Sequence, residues 1–262
     1  NKKEKVMKND NALVVVSMHE NSTDIVLADQ NCNISFQENY ELDISKLDQD
    51  SLQWEIGGMI AKTFGLENKQ RSSAAIAISF PGIVEPISGK IINCPLNSKL
   101  NNHSMTGTLK KNIDCPIGIE NIVNNALIGE NWQGVAQNIH NAIYVDLKES
   151  FSTAILADNK IIYGANFSAG HSFAFEREES QHLGGKDLEN VIEQIATYAI
   201  FLDTELIIFN ALKKSSMNSI SALLNAEIKS RSINIKIAEP KFPDNNEVIG
   251  ALKMALTLSF EQ

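Results

Sequence analysis

Asn121, His171 and Asp146 are the side chains whose chemistry has to be weighed first. Asn121 follows Glu120 at the end of an apolar run and precedes a helical pattern. Its amide therefore either hydrogen-bonds a ligand hydroxyl or caps that helix. His171 sits in an Ala-Gly-His-Ser loop, where an imidazole is either a ligand contact or an ordinary surface group. Asp146 closes a strand-like segment and is the best-placed remaining carboxylate, but one Asp is a thin basis for acid–base chemistry. The bend from Lys148 to Ser152 has no glycine, whereas a hairpin that closes backbone N–H groups on phosphate oxygens depends on glycines there. Cys32, Cys94 and Cys115 are odd in number and form no C-x-C or C-x-x-C pair. They suit a reducing compartment, and no metal or cofactor is expected from them.

The elements that must position these groups are read from periodicity. Apolar or alternating runs predict strands at Ala12–Val16, Ile25–Ala28, Ile34–Tyr40, Ser73–Ser79, Pro116–Glu120, Asn141–Asp146, Glu205–Phe209 and Ile233–Ala238. Helical spacing predicts helices over Ser51–Phe64, Val123–Ala136, Asp187–Asp203, Ser219–Ser230 and Asn246–Phe260. From Tyr144 to Ala174 the pattern is strand, turn, strand, tight turn, strand, with Asp158-Asn159 as the hairpin turn. Strand–helix alternation in the second half makes the class α/β. Trp54 and Trp132 are expected to cover core or interface rather than stack on a ligand.

The 262 residues suffice for one large domain or two modest ones. A formal charge of −9 argues against this chain gripping nucleic acid by itself. No apolar run is long enough for a membrane span, and the polar start has no secretory core, so a cytoplasmic location is expected. The basic cluster Lys2, Lys3, Lys5 and Lys8 reads as a tail or linker.

Three landmarks carry a family resemblance: Ala77-Ile78-Ser79-Phe80-Pro81-Gly82 continuing to Pro86; Ile119-Glu120-Asn121-Ile122-Val123-Asn124-Asn125-Ala126 with Gly129-Glu130; and Tyr163-Gly164-Ala165-Asn166 with Ala169-Gly170. With the closing Val248-Ile249-Gly250-Ala251, they resemble the ROK family of bacterial sugar kinases and sugar-responsive repressors. The resemblance implies an actin-like ATPase, ribonuclease-H-like duplicated fold, with two lobes and an interdomain cleft. It divides the chain into a tail over 1–10, a first lobe over 11–121, and a second lobe over 122–245. A closing helix over 246–262 then packs back on the first lobe.

Position by position, the resemblance implies lost chemistry. Where the family's first phosphate hairpin carries Asp, two Gly and Thr, this chain has Ser17, His19, Glu20 and Asn21. Ile122 replaces the Asp that takes the sugar proton. His171 replaces a sugar-contacting Glu, Phe173-Ala174 replaces a Gly-His pair whose His binds zinc, and the Cys-rich zinc motif is missing. The sugar-holding Asn matches Leu96, with Asn97 next door. The expectation is therefore no enzyme but a pseudokinase. It would be the effector and dimerisation domain of a transcriptional regulator, a homodimer reaching DNA only through a module upstream of residue 1. Asn97, Asn121 and His171 are its remaining ligand-contact candidates, although Leu96, Ile122 and Phe173 speak against a sugar effector. A stand-alone sensing or protein-interaction pseudoenzyme and a divergent ATP-dependent sugar kinase are the alternatives.

Overall fold

The computed structural model describes residues 11–67, 72–147, 151–171, 186–210, 221–228 and 234–260. The tail over 1–10, the bend residues Lys148, Glu149 and Ser150, and Phe173-Ala174 lie outside that set. The described chain forms two compact units, residues 1–122 with 251–262 and residues 123–250.

The first unit is built on a five-stranded sheet ordered β3-β2-β1-β4-β7. Its strands are β1 (Ala12–Met18), β2 (Ser22–Ala28), β3 (Ile34–Glu41), β4 (Ser73–Phe80) and β7 (Ile117–Asn121). β1, β2 and β3 form an antiparallel meander, and β4 and β7 add in parallel. β1 and β4 are apolar runs, and every residue of β1 is buried; a parallel strand covered on both faces has this composition. β3 alternates in exposure, as an edge strand must to stay soluble. A small hairpin of β5 (Ile83–Glu85) and β6 (Lys90–Asn93) follows β4.

Helix α1 (Gln49–Glu67) buries Leu52, Ile56, Met59 and Ile60 in the same core as Val14, Val16, Ile76 and Ile78. Trp54, expected to cover core or interface, is 78 % exposed and so does not cover this core, because it falls on the helix face opposite that stripe. Gly57 and Gly58 lie in α1 with nothing within 4 Å of a would-be Cβ. Gly57→Ala should therefore stabilise the protein by about 0.5–1 kcal/mol, the helix-propensity gap between the two residues. A urea midpoint that moves down would contradict this.

The second unit repeats the plan with the order β10-β9-β8-β11-β12. Here β8 (Ala142–Asp146), β9 (Ser152–Ala157) and β10 (Lys160–Ile161) make the meander, and β11 (Leu206–Asn210) and β12 (Lys236–Ala238) are parallel additions. The β9–β10 turn is Asp158-Asn159, with φ +49° and +62°. Both central residues are left-handed, as the twist of a two-residue hairpin requires. Beyond α1, the described residues form α2 (Met105–Leu109) in the first unit, α3 (Ile122–Gln133), α4 (Lys186–Phe201) and α5 over 221–228, and α6 (Asn246–Ser259), whose residues from Ala251 onward belong to the first unit. Two sheets with the same strand order and sense make this the duplicated actin-like ATPase fold. Among the described residues no helix is long and apolar enough to cross a membrane.

Candidate functional site

Ser17, Ser79 and Glu120 stand side by side at the carboxyl ends of the parallel strands β1, β4 and β7, with Asp24 of β2 opposite Ser17. Open α/β sheets bind ligands at this end of their strands. The alternate positions of these strands, such as Val16, Met18, Ile78, Phe80 and Ile119, fill the hydrophobic core. The polar row therefore lies on the other face, one step beyond Gly118, whose Cβ would meet Leu258 and Met254 of α6 at 2.9 and 3.1 Å.

Ser17 and Ser79 are fully buried, and the Ser79 hydroxyl has no hydrogen-bond partner among the described residues. The His19 Nε2 lies 3.5 Å from Ser17 Oγ and 3.8 Å from Asp24 Oδ2. Asp24 Oδ1 accepts from Gln37 and Asn39, which fixes the carboxylate. The grouping Ser-His-Asp does not make a nucleophile. A relay needs serine and carboxylate on opposite ring nitrogens, and here one nitrogen faces both.

Asn97 is buried, with Nδ2 donating to the carbonyls of Ile44 and Leu47 at 2.9 and 2.6 Å. Its Oδ1 accepts from Lys99 N at 3.1 Å. That amide staples the loop before α1 to the loop after β6. Asn121 ends β7, also buried, and its Nδ2 donates to the Gly82 carbonyl at 2.8 Å. The Pro-Gly turn and the end of β7 are thereby tied together. Glu120 is 3 % exposed and curls so that Oε1 accepts the Asn121 backbone N–H at 2.7 Å. Asn97 and Asn121 share the first unit, and His171 belongs to the second.

His171 follows Gly170, whose carbonyl accepts from Thr153 Oγ1, so its loop is pinned to β9. Its Nδ1 is 3.2 Å from the Ala169 carbonyl, and its Nε2 is buried without a partner among the described residues. Burial lowers its pKa below the ordinary 6.5, with the Ala169 carbonyl opposing. His103 is lowered chiefly by burial too; Asp50 opposes and Lys111 adds to the shift. The folded state disfavours protonation of both relative to the unfolded chain, which binds protons below about 6.5. Their stabilisation is thus present above that pH and lost as pH falls below it. Urea midpoints should drop between about pH 7 and pH 5, and less so in His103→Gln; a flat profile would contradict this.

In the second unit, Tyr144 of β8 is fully buried and its hydroxyl accepts from Asn246 Nδ2. Burial holds its pKa well above the ordinary 10.0, so it stays a neutral hydroxyl. Glu130 of α3 is fully buried, and its carboxylate accepts three backbone N–H groups, from Val135, Lys241 and Phe242. Zinc takes three or four convergent Cys, His or carboxylate donors. No group of three such side chains occurs among the described residues, and the matching Phe173-Ala174 is not among them.

Residues 16–178, more than half of the chain, match the ROK family. The chain belongs to the ROK family. Within it, 116 residues are 32 % identical to a beta-glucoside kinase of Klebsiella pneumoniae, covering 44 % of this chain and 38 % of that one. A xylose repressor of Caldicellulosiruptor bescii is 32 % identical over 95 residues, 36 % of this chain and 24 % of the repressor. The matched stretch is less than half of either relative. In fold, the ROK hexokinase of Thermus thermophilus superposes with a TM-score of 0.73 at 12 % identity, over 95 % of this chain and 98 % of that one.

This ROK kinship corrects the expectation of a chain without catalysis. Many of the similar proteins in sequence, and most of those in structure, carry the names of sugar kinases. The physical reason is that phosphoryl transfer is carried mainly by positioning and electrostatics. A substitution at a single motif position such as Ile122 is therefore not by itself evidence against catalysis. The grouping of Ser17 and Ser79 with His19 and Asp24 is not legible in the sequence, because it exists only in the sheet register. The signal available was a serine one residue before the end of each of two apolar runs, ALVVVSM and SAAIAISF.

Proposed function

We propose that the chain is a divergent sugar kinase of the ROK family, moving a phosphoryl group from a nucleoside triphosphate to a sugar hydroxyl. The observation that carries this reading is its likeness in sequence to proteins named beta-glucoside kinase. The polar row at the carboxyl ends of β1, β4 and β7 supports it, because a sugar hydroxyl needs paired polar groups around it. Pairing with a second copy of the chain belongs to the same reading and rests on the family resemblance.

The test is a coupled assay of nucleoside diphosphate release, with magnesium and ATP or GTP against a panel of monosaccharides and β-glucosides. Turnover with at least one sugar is expected. Sugar binding by calorimetry with no turnover on any nucleotide would overturn the proposal and leave the repressors as the better guide to activity.

A further inference from the structure

Helix α1 buries Leu52, Ile56, Met59 and Ile60 on one side. Its other side is unlike the charged surface a solvated helix ordinarily presents. Trp54, Gly58, Ala61 and Gly65 recur at intervals of four, three and four residues, which sets them on one line along the helix. All four are exposed, the indole of Trp54 at 78 %. A Cβ added at Gly58 or Gly65 would meet nothing within 4 Å. The line is therefore a length of bare backbone with a large aromatic ring at its amino-terminal end. Glycine on a solvated helix face lowers stability and returns nothing within the monomer. Small residues in such a line let a second helix backbone come close, and tryptophan is among the residues most enriched as anchors of interfaces.

We propose that this face of α1 pairs with the same face of a second copy of the chain, the two helices antiparallel about a two-fold axis level with the Met59–Ile60 bond. The spacing selects the occupant. Trp54 and Gly65 lie equally far from that midpoint along the helix, and so do Gly58 and Ala61. Antiparallel pairing therefore lays Trp54 over the partner's Gly65 and sets Gly58 against the partner's Ala61. Large meets small at both ends and small meets small in the middle, the self-complementarity that a two-fold contact requires. Parallel pairing would set ring against ring at one end and leave a void at the other. Charge agrees with shape. Glu55 and Lys62 follow Trp54 and Ala61 by one residue and share one flank of the line, both exposed. Lys62 Nζ stands 4.9 Å from the centre of the Tyr40 ring, which holds the ammonium on that flank. Like flanks meet in an antiparallel helix pair, so Glu55 comes alongside the partner's Lys62 and Lys62 alongside the partner's Glu55. The proposal does not depend on the kinase reading. It gives a surface to the pairing that the family resemblance implies without locating.

The experiment is analytical ultracentrifugation of the full chain from about 1 to 200 µM, with tryptophan emission recorded over the same range. Wild type should show an association step, and its emission should move to shorter wavelength as Trp54 leaves water. Gly58→Glu puts a charged side chain at the closest approach and should weaken that step about 100-fold or more. Its melting point at low concentration should not fall, because glutamate is a better helix former than glycine; a folding defect cannot then explain the loss. Trp54→Ala, which removes nothing from the core, should weaken the step about tenfold or more. Glu55→Lys and Lys62→Glu should each weaken it about threefold or more, and the double swap Glu55→Lys/Lys62→Glu should return it to within about threefold of wild type. A chain that stays monomeric at the highest concentration overturns the proposal and leaves the face to a different partner. An association step unchanged in Gly58→Glu overturns it too, placing the pairing on another surface. Single charge variants that weaken the step with no recovery in the double swap overturn the antiparallel register, and the proposal with it.

Discussion

Glu130→Ala should destabilise the protein by about 3–5 kcal/mol. Oε2 accepts from Val135 N at 2.9 Å and Lys241 N at 3.1 Å, and Oε1 accepts from Phe242 N at 3.2 Å. Each hydrogen bond to a charged group contributes about 1.5–3 kcal/mol, and water entering the vacated space returns part of the sum. The carboxylate tucks against Gly134, where an added Cβ would lie 2.0 Å from Oε2. Glu130→Gln separates charge from shape. Its carbonyl can keep the two bonds made by Oε2, but its amide then opposes the Phe242 N–H. A loss of about 1–3 kcal/mol is expected for this variant. Equilibrium urea denaturation checks both values. Wild-type stability in Glu130→Ala would show that the three N–H groups find water as good a partner.

Gly250→Val should cost about 3 kcal/mol or more, at the upper end of overpacking penalties. A Cβ at 250 would stand 1.9 Å from the Asn125 carbonyl oxygen, and one at 129 would stand 2.2 Å from the Asn246 carbonyl oxygen. The obstructing atoms are helix backbone, so no side chain can rotate away, and α3 and α6 would have to separate. Gly129→Ala tests the same contact from the other helix and should also lower the midpoint. The gain in helix propensity, about 1 kcal/mol for Gly129→Ala and about half that or less for Gly250→Val, offsets only part of the collision. An unchanged midpoint in Gly250→Val would mean that the two helices part at little cost.

Much of the architecture was legible from periodicity. Val14, Val16, Ile76 and Ile78 alternate with residues buried on the opposite face, and that pattern identifies covered parallel strands before any coordinates are seen. Asp158-Asn159 announced its hairpin because few residue pairs tolerate two positive φ values. The landmarks Gly129 and Gly250 carried the family resemblance, and the fold gives them a physical role as the two flat faces of a helix contact.

The site was less legible because its groupings are not local. Nothing in the spacing around Glu130 foretells backbone donors from Lys241 and Phe242, more than a hundred positions later in the chain. The row of Asp24, Ser17, Ser79 and Glu120 depends on strand register across four strands. Register follows from where each apolar run begins and ends in space, not from its composition. Asn97, chosen for its nearness to a sugar-holding position, also turns out to tie Ile44 and Leu47 to the loop after β6.

The division of α6 between the two units has a consequence for how the molecule is made. Residues 251–262 complete the first unit, and Met254 and Leu258 reach Gly118 in its sheet. During translation the amino-terminal half emerges long before those side chains exist. Its sheet must then wait, one face uncovered, until the ribosome has delivered the last stretch of this sequence, while residues 123–250 can close on themselves earlier.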